Sequence, residues 1–471
     1  MIRLFTVLGL TVVLSGCVLA PREAKHEAVE MRVAGAPYRQ PFAERDLPEV
    51  PSKLRWEDVL RRALLANGDL ESAYYDWAAA VHRIQQAGGY PNTPLSTSFS
   101  YMFSGGDMKA FDRTTVNVGP DAMENLAFPP KVYQAAKVAL DEARAAGKRF
   151  VATKFDVQER VLTAWLQYAL LAERIRIQRE NVSLLKLISD TAVNRVQAGA
   201  QQQDLIRAET EYRLADNELK NLEAQLPQQR ATLNAMMARE PDAPLEPPDQ
   251  IPPARPVPLD DAALLALAAE TNPELAALGN LVRGRENALE LAKLQYIPDF
   301  NPFAGFTGTV SQMIGVGISI PTFLPEVRGR VKEARADLRG MMAMYRQTRF
   351  DTAAQVVAAL YALRNSERQA ELFENQIIPA AERVLDLSRQ GYAAGTGPFL
   401  DLVESQRTLL DVRLGLAEAR ATREELLADL EELLGVDMEA IAPANPEPEI
   451  RPIASGPGPS ASANYATPER Q

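Results

Sequence analysis

The 471-residue chain has one cysteine, Cys17, and two histidines, His26 and His82. A single thiol excludes an internal disulfide and any cysteine cluster for a metal. With so little histidine, and with no nucleophile-and-base motif, phosphate loop or metal-ligand spacing, neither an enzyme nor a bound metal or cofactor is expected. Aromatic residues make up only 7% of the chain. That scarcity, beside abundant Ala, Leu, Glu and Arg, argues for long helices packed through small side chains rather than a bulky core. A basic excess is missing too: the net charge is -11, which argues against nucleic acid as a partner, because phosphate calls for a basic face.

The start of the chain differs from the rest. Met1-Ile2-Arg3 is positive, Leu4 to Leu14 is apolar, and Leu14-Ser15-Gly16-Cys17 follows. The apolar run is too short to span a bilayer, so residues 1–16 read as a signal peptide. Leu-Ser-Gly-Cys resembles the bacterial lipoprotein box, in which cleavage before the cysteine lets its thiol take a diacylglyceryl group; the alternative is an ordinary leader with an accidental cysteine. Val18 stands where an Asp would signal inner-membrane retention in many bacteria, so the resemblance points to the outer membrane. Residues 17–52, with prolines at 37, 41, 48 and 51, read as an irregular tether below the lipid.

The remainder divides into two halves, 53–240 and 259–440. Asn67-Gly68-Asp69-Leu70 is answered by Asn272-Pro273-Glu274-Leu275, and Tyr90-Pro91 by Tyr296-Ile297-Pro298. Pro130 and Pro325 each precede a very long helical stretch, and each stretch reaches a glycine turn, "GAQQQDLIRAETE" from Gly199 and "GTGPFLDLVESQ" from Gly395. Residues 241–258 are a proline-rich extended linker, and 441–471 form a tail of similar composition that is expected to be disordered. Lys131 to Gln197 contains no proline and only Gly147, so a helix of ~65 residues and ~100 Å is predicted. Tyr168, Ile175 and Val182 recur every seventh residue, as do Leu170, Ile177 and Leu184, and Leu402, Leu409 and Leu416 repeat the step in the second half. The two stripes on the first rod lie ~200° apart, giving it a neighbour on each side. In the second half, Pro379 is expected to bend the corresponding helix.

Between the helices of each half the texture changes to strand. In "TPLSTSFSYMF" (93–103), Leu95, Thr97, Phe99, Tyr101 and Phe103 alternate with Ser96, Ser98 and Ser100. In 313–323, Ile314, Val316, Ile318 and Ile320 alternate with Gly315, Gly317 and Ser319. Weaker candidates lie at 114–128 and 300–310, so strands are expected at about 93–128 and 299–324. An apolar face backed by a small polar one suits a water-filled membrane barrel, and a soluble hairpin capping the helices is the other reading. Four strands cannot close a barrel and open edges are not tolerated in lipid, so in the membrane reading several chains share one.

These elements, in this order and given twice, resemble the TolC-type outer membrane efflux family from about Ser52 to Val436. The resemblance implies a mainly α fold with a small membrane β part. Long hairpins of a homotrimer would form an α-barrel through the periplasm, continued by a shared twelve-stranded transmembrane β-barrel, with two internal repeats per chain. It implies an exit duct anchored in outer membrane lipid through Cys17, with a periplasmic adaptor (a membrane fusion protein) and an inner-membrane pump as partners. Gly199 and Gly395 would then mark the periplasmic tips, and Gly199, Gly395, Thr396 and Gly397 would offer adaptor contacts. Tyr392, Asp401 and Glu404 match positions of the periplasmic gate, although Glu404 stands where the family has Asp. Gly397 replaces an arginine of the best-known member, a role that another residue such as Arg389 could fill. For the carboxylates the other reading is a solvated acidic helix start. A lipid-anchored periplasmic coiled-coil scaffold without a pore is the alternative for the whole chain.

Overall fold

The structure, a computed structural model, describes residues 18–51, 55–90, 95–103, 107–120, 126–199, 201–309 and 311–441. The leader with Cys17 and the tail beyond Ile441 lie outside the described residues. After a short helix α1 (Glu23–Ala34) come α2 (Trp56–Ala66), α3 (Gly68–Ala87), β1 (Leu95–Tyr101), β2 (Thr114–Pro120), the rod α4 (Pro129–Gln197) and its return α5 (Gln202–Met236). The same order follows with α6 (Asp261–Thr271), α7 (Pro273–Leu294), β3 (Asp299–Thr307), β4 (Ser311–Ser319), α8 (Leu324–Leu372), α9 (Ile378–Ala394) and α10 (Phe399–Leu434). A last turn, α11 (Met438–Ile441), closes the described chain.

The paired Asn-x-x-Leu segments are helix caps. The Asn67 side chain accepts from the backbone N–H groups of Asp69 (2.9 Å) and Leu70 (3.0 Å), and Asn272 accepts from Leu275 (2.8 Å). Each satisfies donors that the first helical turn leaves open.

Helix α4 is 69 residues long, or ~100 Å, and it has neighbours on two sides. It packs on α3 and α5 and also on α7 and α10. Tyr168 shares a core with Leu233 of α5 and Leu245, whereas Leu170 and Ile177 meet Ala417 and Ala421 of α10. Small residues permit the close approach. Gly147 lies under the Trp77 indole, and a Cβ there would come within 2.9 Å of the ring.

Helix α8 does not run straight into α9. Residues Phe373–Ile377 form a π turn immediately before Pro379. Proline has no N–H to give and its ring crowds the carbonyl four residues earlier, and the wider turn absorbs both. Pro227 lies within α5 without ending it.

The four strands form one antiparallel sheet, ordered β1-β2-β3-β4. Thr97 opposes Val118, Val118 opposes Ala304, and Ala304 opposes Ile314; Phe99, Val116 and Phe306 form the next row. Residues paired across strands share a face. Phe99, Tyr101, Val116, Phe306, Ile314 and Ile318 therefore lie on one side, and Ser98, Asn117, Gly305, Asn301 and Gly317 on the other. Among the described residues nothing covers the apolar face: Phe99 is 73% exposed and Ile314 79%. Phe303 departs from the pattern by lying over Gly315 on the small-residue face.

The segment read as an irregular tether is instead a folded clasp. Leu19 donates to the Gly88 carbonyl (2.7 Å), Met31 and Tyr38 are buried, and the Tyr38 hydroxyl donates to Leu64 O (3.2 Å). Ala24, Glu27, Ala28 and Met31 recur at helical spacing and face the core or are buried in it, and this pattern outweighs the flanking prolines. Glu27 is buried with the Trp77 indole N–H donating to it at 2.8 Å.

The proline-rich linker has no regular structure but is fastened at several points. Tyr168 donates to Leu245 O (2.9 Å) and Asn234 to Ala243 O (2.9 Å). Arg255 reaches Glu424 (3.0 Å) and Glu431 (3.1 Å) on α10, both carboxylates nearly sealed from solvent, and its guanidinium lies 5.6 Å from the Trp56 ring of α2. Removing this cation strands buried negative charge. Arg255→Met should therefore destabilise the fold by roughly 3–5 kcal/mol, against under about 1 kcal/mol for Arg176→Met in an exposed ion-pair set. Urea titration followed by tryptophan fluorescence measures both, and equal midpoints would contradict the role given to Arg255.

Glu432 of α10 faces Asp156 and Glu159 of α4. Burial first, then these carboxylates and Asp429, push its pKa from 4.5 to about 7, with Arg160 opposing. Glu159 and Asp429 are also raised, chiefly by burial. A carboxyl with a raised folded pKa contributes stability fully below its unfolded value and loses it as pH climbs through the folded one. Stability should fall between pH 4.5 and about 7, and Glu432→Gln should flatten that slope and raise stability above it. Melting temperature measured against pH for both proteins checks the sign.

Candidate functional site at the paired helical tips

The two interhelical turns end in glycine because the chain must reverse through a left-handed residue. Gly199 has φ 98° and Gly395 φ 80°, a region that costs little only without a Cβ. In the second turn the N–H groups of Thr396 and Gly397 both donate to Gly391 O, at 2.9 and 3.0 Å, and the Thr396 hydroxyl donates to the same oxygen at 3.2 Å. A Cβ on Gly397 would lie 3.2 Å from the Gly391 carbonyl carbon. Backbone sits against backbone there, so an arginine in this place would require the turn to move.

Tyr392 is 1% exposed and lies between the hairpins rather than on an open surface. Its ring meets Phe399 edge-on at 5.4 Å and belongs to one apolar cluster with Leu185, Ile188 and Ala192 of α4 and Leu402 of α10. Arg195, in the last turn of α4, places its guanidinium 4.2 Å from the Tyr392 ring centroid and donates to the Tyr392 carbonyl at 2.7 Å. The contact joins the two hairpins through the ring face and the carbonyl. Burial raises the Tyr392 pKa above its ordinary value, Asp204 of α5 adds to the rise, and Arg195 opposes it.

Asp401 and Glu404 lie in the first turns of α10, three residues apart, and both are exposed. Leu402 and Val403 between them are buried. The structure therefore separates the gate residues expected from sequence: Tyr392 is internal, and the two carboxylates face outward together. Arg389 pairs with Asp386 of its own helix at 2.9 Å. Arg195 is the residue that sequence reasoning missed. A basic residue in the last turn of a helix is ordinary, since it complements the helix dipole, and only its partner across the hairpins sets it apart.

No group of acidic, histidine or cysteine side chains suited to a metal ion occurs among the described residues. None of their helices is long and apolar enough to cross a membrane.

Residues 262–436 match the sequence model of the outer membrane efflux protein family. The chain is 23% identical over 376 residues to the cobalt-zinc-cadmium resistance protein CzcC of Cupriavidus metallidurans, covering 78% of this chain and 86% of that protein. Its fold resembles that of the outer membrane protein VceC of Vibrio cholerae, with a TM-score of 0.67 at 18% identity over 81% of this chain and 96% of the other. The open state of the Neisseria gonorrhoeae MtrE outer membrane channel is similar, with a TM-score of 0.65 at 17% identity, covering 82% and 89%. The second half thus carries the sequence pattern of the outer membrane efflux protein family, and the path of both halves resembles that of these solved outer membrane proteins.

Proposed function

We propose that the protein is an outer membrane exit duct: a homotrimer whose sheets close one twelve-stranded barrel and whose hairpins form an α-barrel through the periplasm. The observation that carries this reading is the sheet, which among the described residues has one uncovered apolar face, one small polar face and two unpaired edges, β1 and β4. In lipid such edges must be paired, and copies of the same chain supply the partners. In this reading each half of the chain is one repeat of the duct, and Cys17 carries the lipid that holds the clasp at the membrane. Substrates arrive from an inner-membrane pump through a periplasmic adaptor that meets the turns at Gly199, Gly395, Thr396 and Gly397. A scaffold without a pore has no use for the amphipathic sheet.

At the entrance, Asp401 and Glu404 from three copies converge as a carboxylate ring, and the Arg195–Tyr392 contact fastens the hairpins behind it. Like charges brought close attract multivalent cations. A trivalent cation added on the periplasmic side of a planar bilayer should block wild-type conductance strongly and the Asp401→Ala, Glu404→Ala double variant little. Equal block would return the carboxylates to a solvated helix start. The sheet is tested separately: Phe99→Arg should cost roughly 2–4 kcal/mol per chain if buried near the bilayer midplane, and Ser98→Arg much less. Trimer yield on a gel without heating reads the difference, and equal tolerance would reverse the proposed orientation of the sheet.

A further inference from the structure

The N-terminal clasp leaves a cleft beside the second half. Helix α1 packs on α3 and α4, and between it and α7 lies a cavity of about 1010 Å³. Small residues and rings line its base: Gly147 under Trp77, and Gly279, where a Cβ would lie 3.9 Å from the Tyr345 ring of α8. One wall is α1, whose Val29 and Val33 stand one turn apart. They are 50% and 69% exposed, so nothing among the described residues covers them. The opposite side is basic, with Arg144 and Lys148 four apart on α4 and Arg283 on α7. Arg144 pairs with Asp141 (3.5 Å) and Arg283 donates to Asn280, whereas Lys148 makes no ion pair among the described residues. Glu30 and Glu270 add acidic groups, and Glu27 is already bonded to Trp77.

The described chain ends close to this cleft. Asn272 donates to Leu433 O (2.8 Å) and the Thr271 hydroxyl to Leu434 O (2.6 Å), and their neighbours Glu270 and Leu275 line the cleft. Asp437 accepts from Gln158 of α4 (2.6 Å), which is ~15 Å along the rod from Lys148. Residues 442–471 follow, and among them is Pro446-Glu447-Pro448-Glu449-Ile450-Arg451-Pro452-Ile453. Prolines favour an extended backbone of ~3.1 Å per residue, so Ala442 to Glu449 can span ~25 Å and reach Lys148. Proline-rich segments dock in grooves lined by aromatic rings because little conformational entropy is lost. This stretch offers two carboxylates to the basic side, isoleucines to the uncovered valines, and one arginine to Glu30 and Glu270.

We propose that residues 446–453 occupy this cleft, with Glu447 and Glu449 against Lys148 and Arg283 and Ile450 against Val29 and Val33, and so strap the N-terminal clasp to the second half. The strap is independent of the exit-duct reading. Ending the chain at Ile441 should speed hydrogen exchange in Glu23–Ala34 while leaving Gln202–Met236 unchanged; unaltered exchange in α1 overturns the proposal. Disulfide trapping in the whole chain tests the occupant without a truncation. Cys17 is the one native cysteine, so mass spectrometry of joined peptides identifies every link. Val33→Cys with Ile450→Cys should cross-link within one chain under mild oxidation. Ile206→Cys with Ile450→Cys places the first thiol near the Gly199 turn and should not link, since a disulfide needs Cα atoms within about 7 Å. Lys148→Glu should lower the yield at Val33 roughly threefold, the size expected for a partly exposed ion pair, and adding Glu449→Lys should restore it. Equal yield at Val33 and Ile206 overturns the proposal. So do links between chains, seen as a doubled mass on a denaturing gel, which would give the cleft to a second copy.

Discussion

The constraint on which the architecture depends is the length of α4. A helix of 69 residues cannot bury itself, and its own composition offers small side chains rather than bulky ones, so neighbours must cover it closely along two flanks. The chain meets this need from both halves. Helices α3 and α5 take one flank, α7 and α10 the other, and buried alanines and Gly147 set the approach. The sheet and the tips are then held at opposite ends of the same rod, the separation on which the proposed duct depends.

Segments outside the long helices add further ties, one of them between the two halves. Arg255, between the halves, touches α2 through Trp56 and α10 through Glu424 and Glu431. The N-terminal clasp is fastened to the end of α3 at Gly88 and to the end of α2 at Leu64. Buried charge makes the linker contact specific: a displaced Arg255 would strip Glu431 of its cation and leave Glu424 to Arg423. The buried ionic contacts thus fall at the middle of the rod, whereas the hairpin region below it has a π turn and exposed ion pairs.

Much of this was legible in the residues because it depends on local chemistry. The Asn67 and Asn272 caps, the glycine turns at Gly199 and Gly395, and the alternation of Ile314, Val316 and Ile318 with Gly315 and Gly317 are each dictated by neighbours within a few positions. The double stripe on α4 likewise identified a rod with two flanks, since a seven-residue period is a property of one helix. The prolines misled in one place: those at 37, 41, 48 and 51 concealed the helix Glu23–Ala34.

Tertiary structure alone decided which side chains meet. Tyr392, Asp401 and Glu404 lie within a dozen residues of one another, yet the tyrosine turns inward to Arg195 of the other hairpin and the carboxylates turn out. Nothing near Arg195 in sequence marks it, because its partner is nearly two hundred positions away and the contact exists only once two rods lie side by side. The same holds for Gln406 and Asn181, and for Arg255 with its two glutamates. Sequence by itself determined which stretches are helix, strand and turn, since backbone hydrogen bonding and side-chain period are local; the pairing of distant polar groups in a low-dielectric seam is set by packing geometry, and packing belongs to the whole chain.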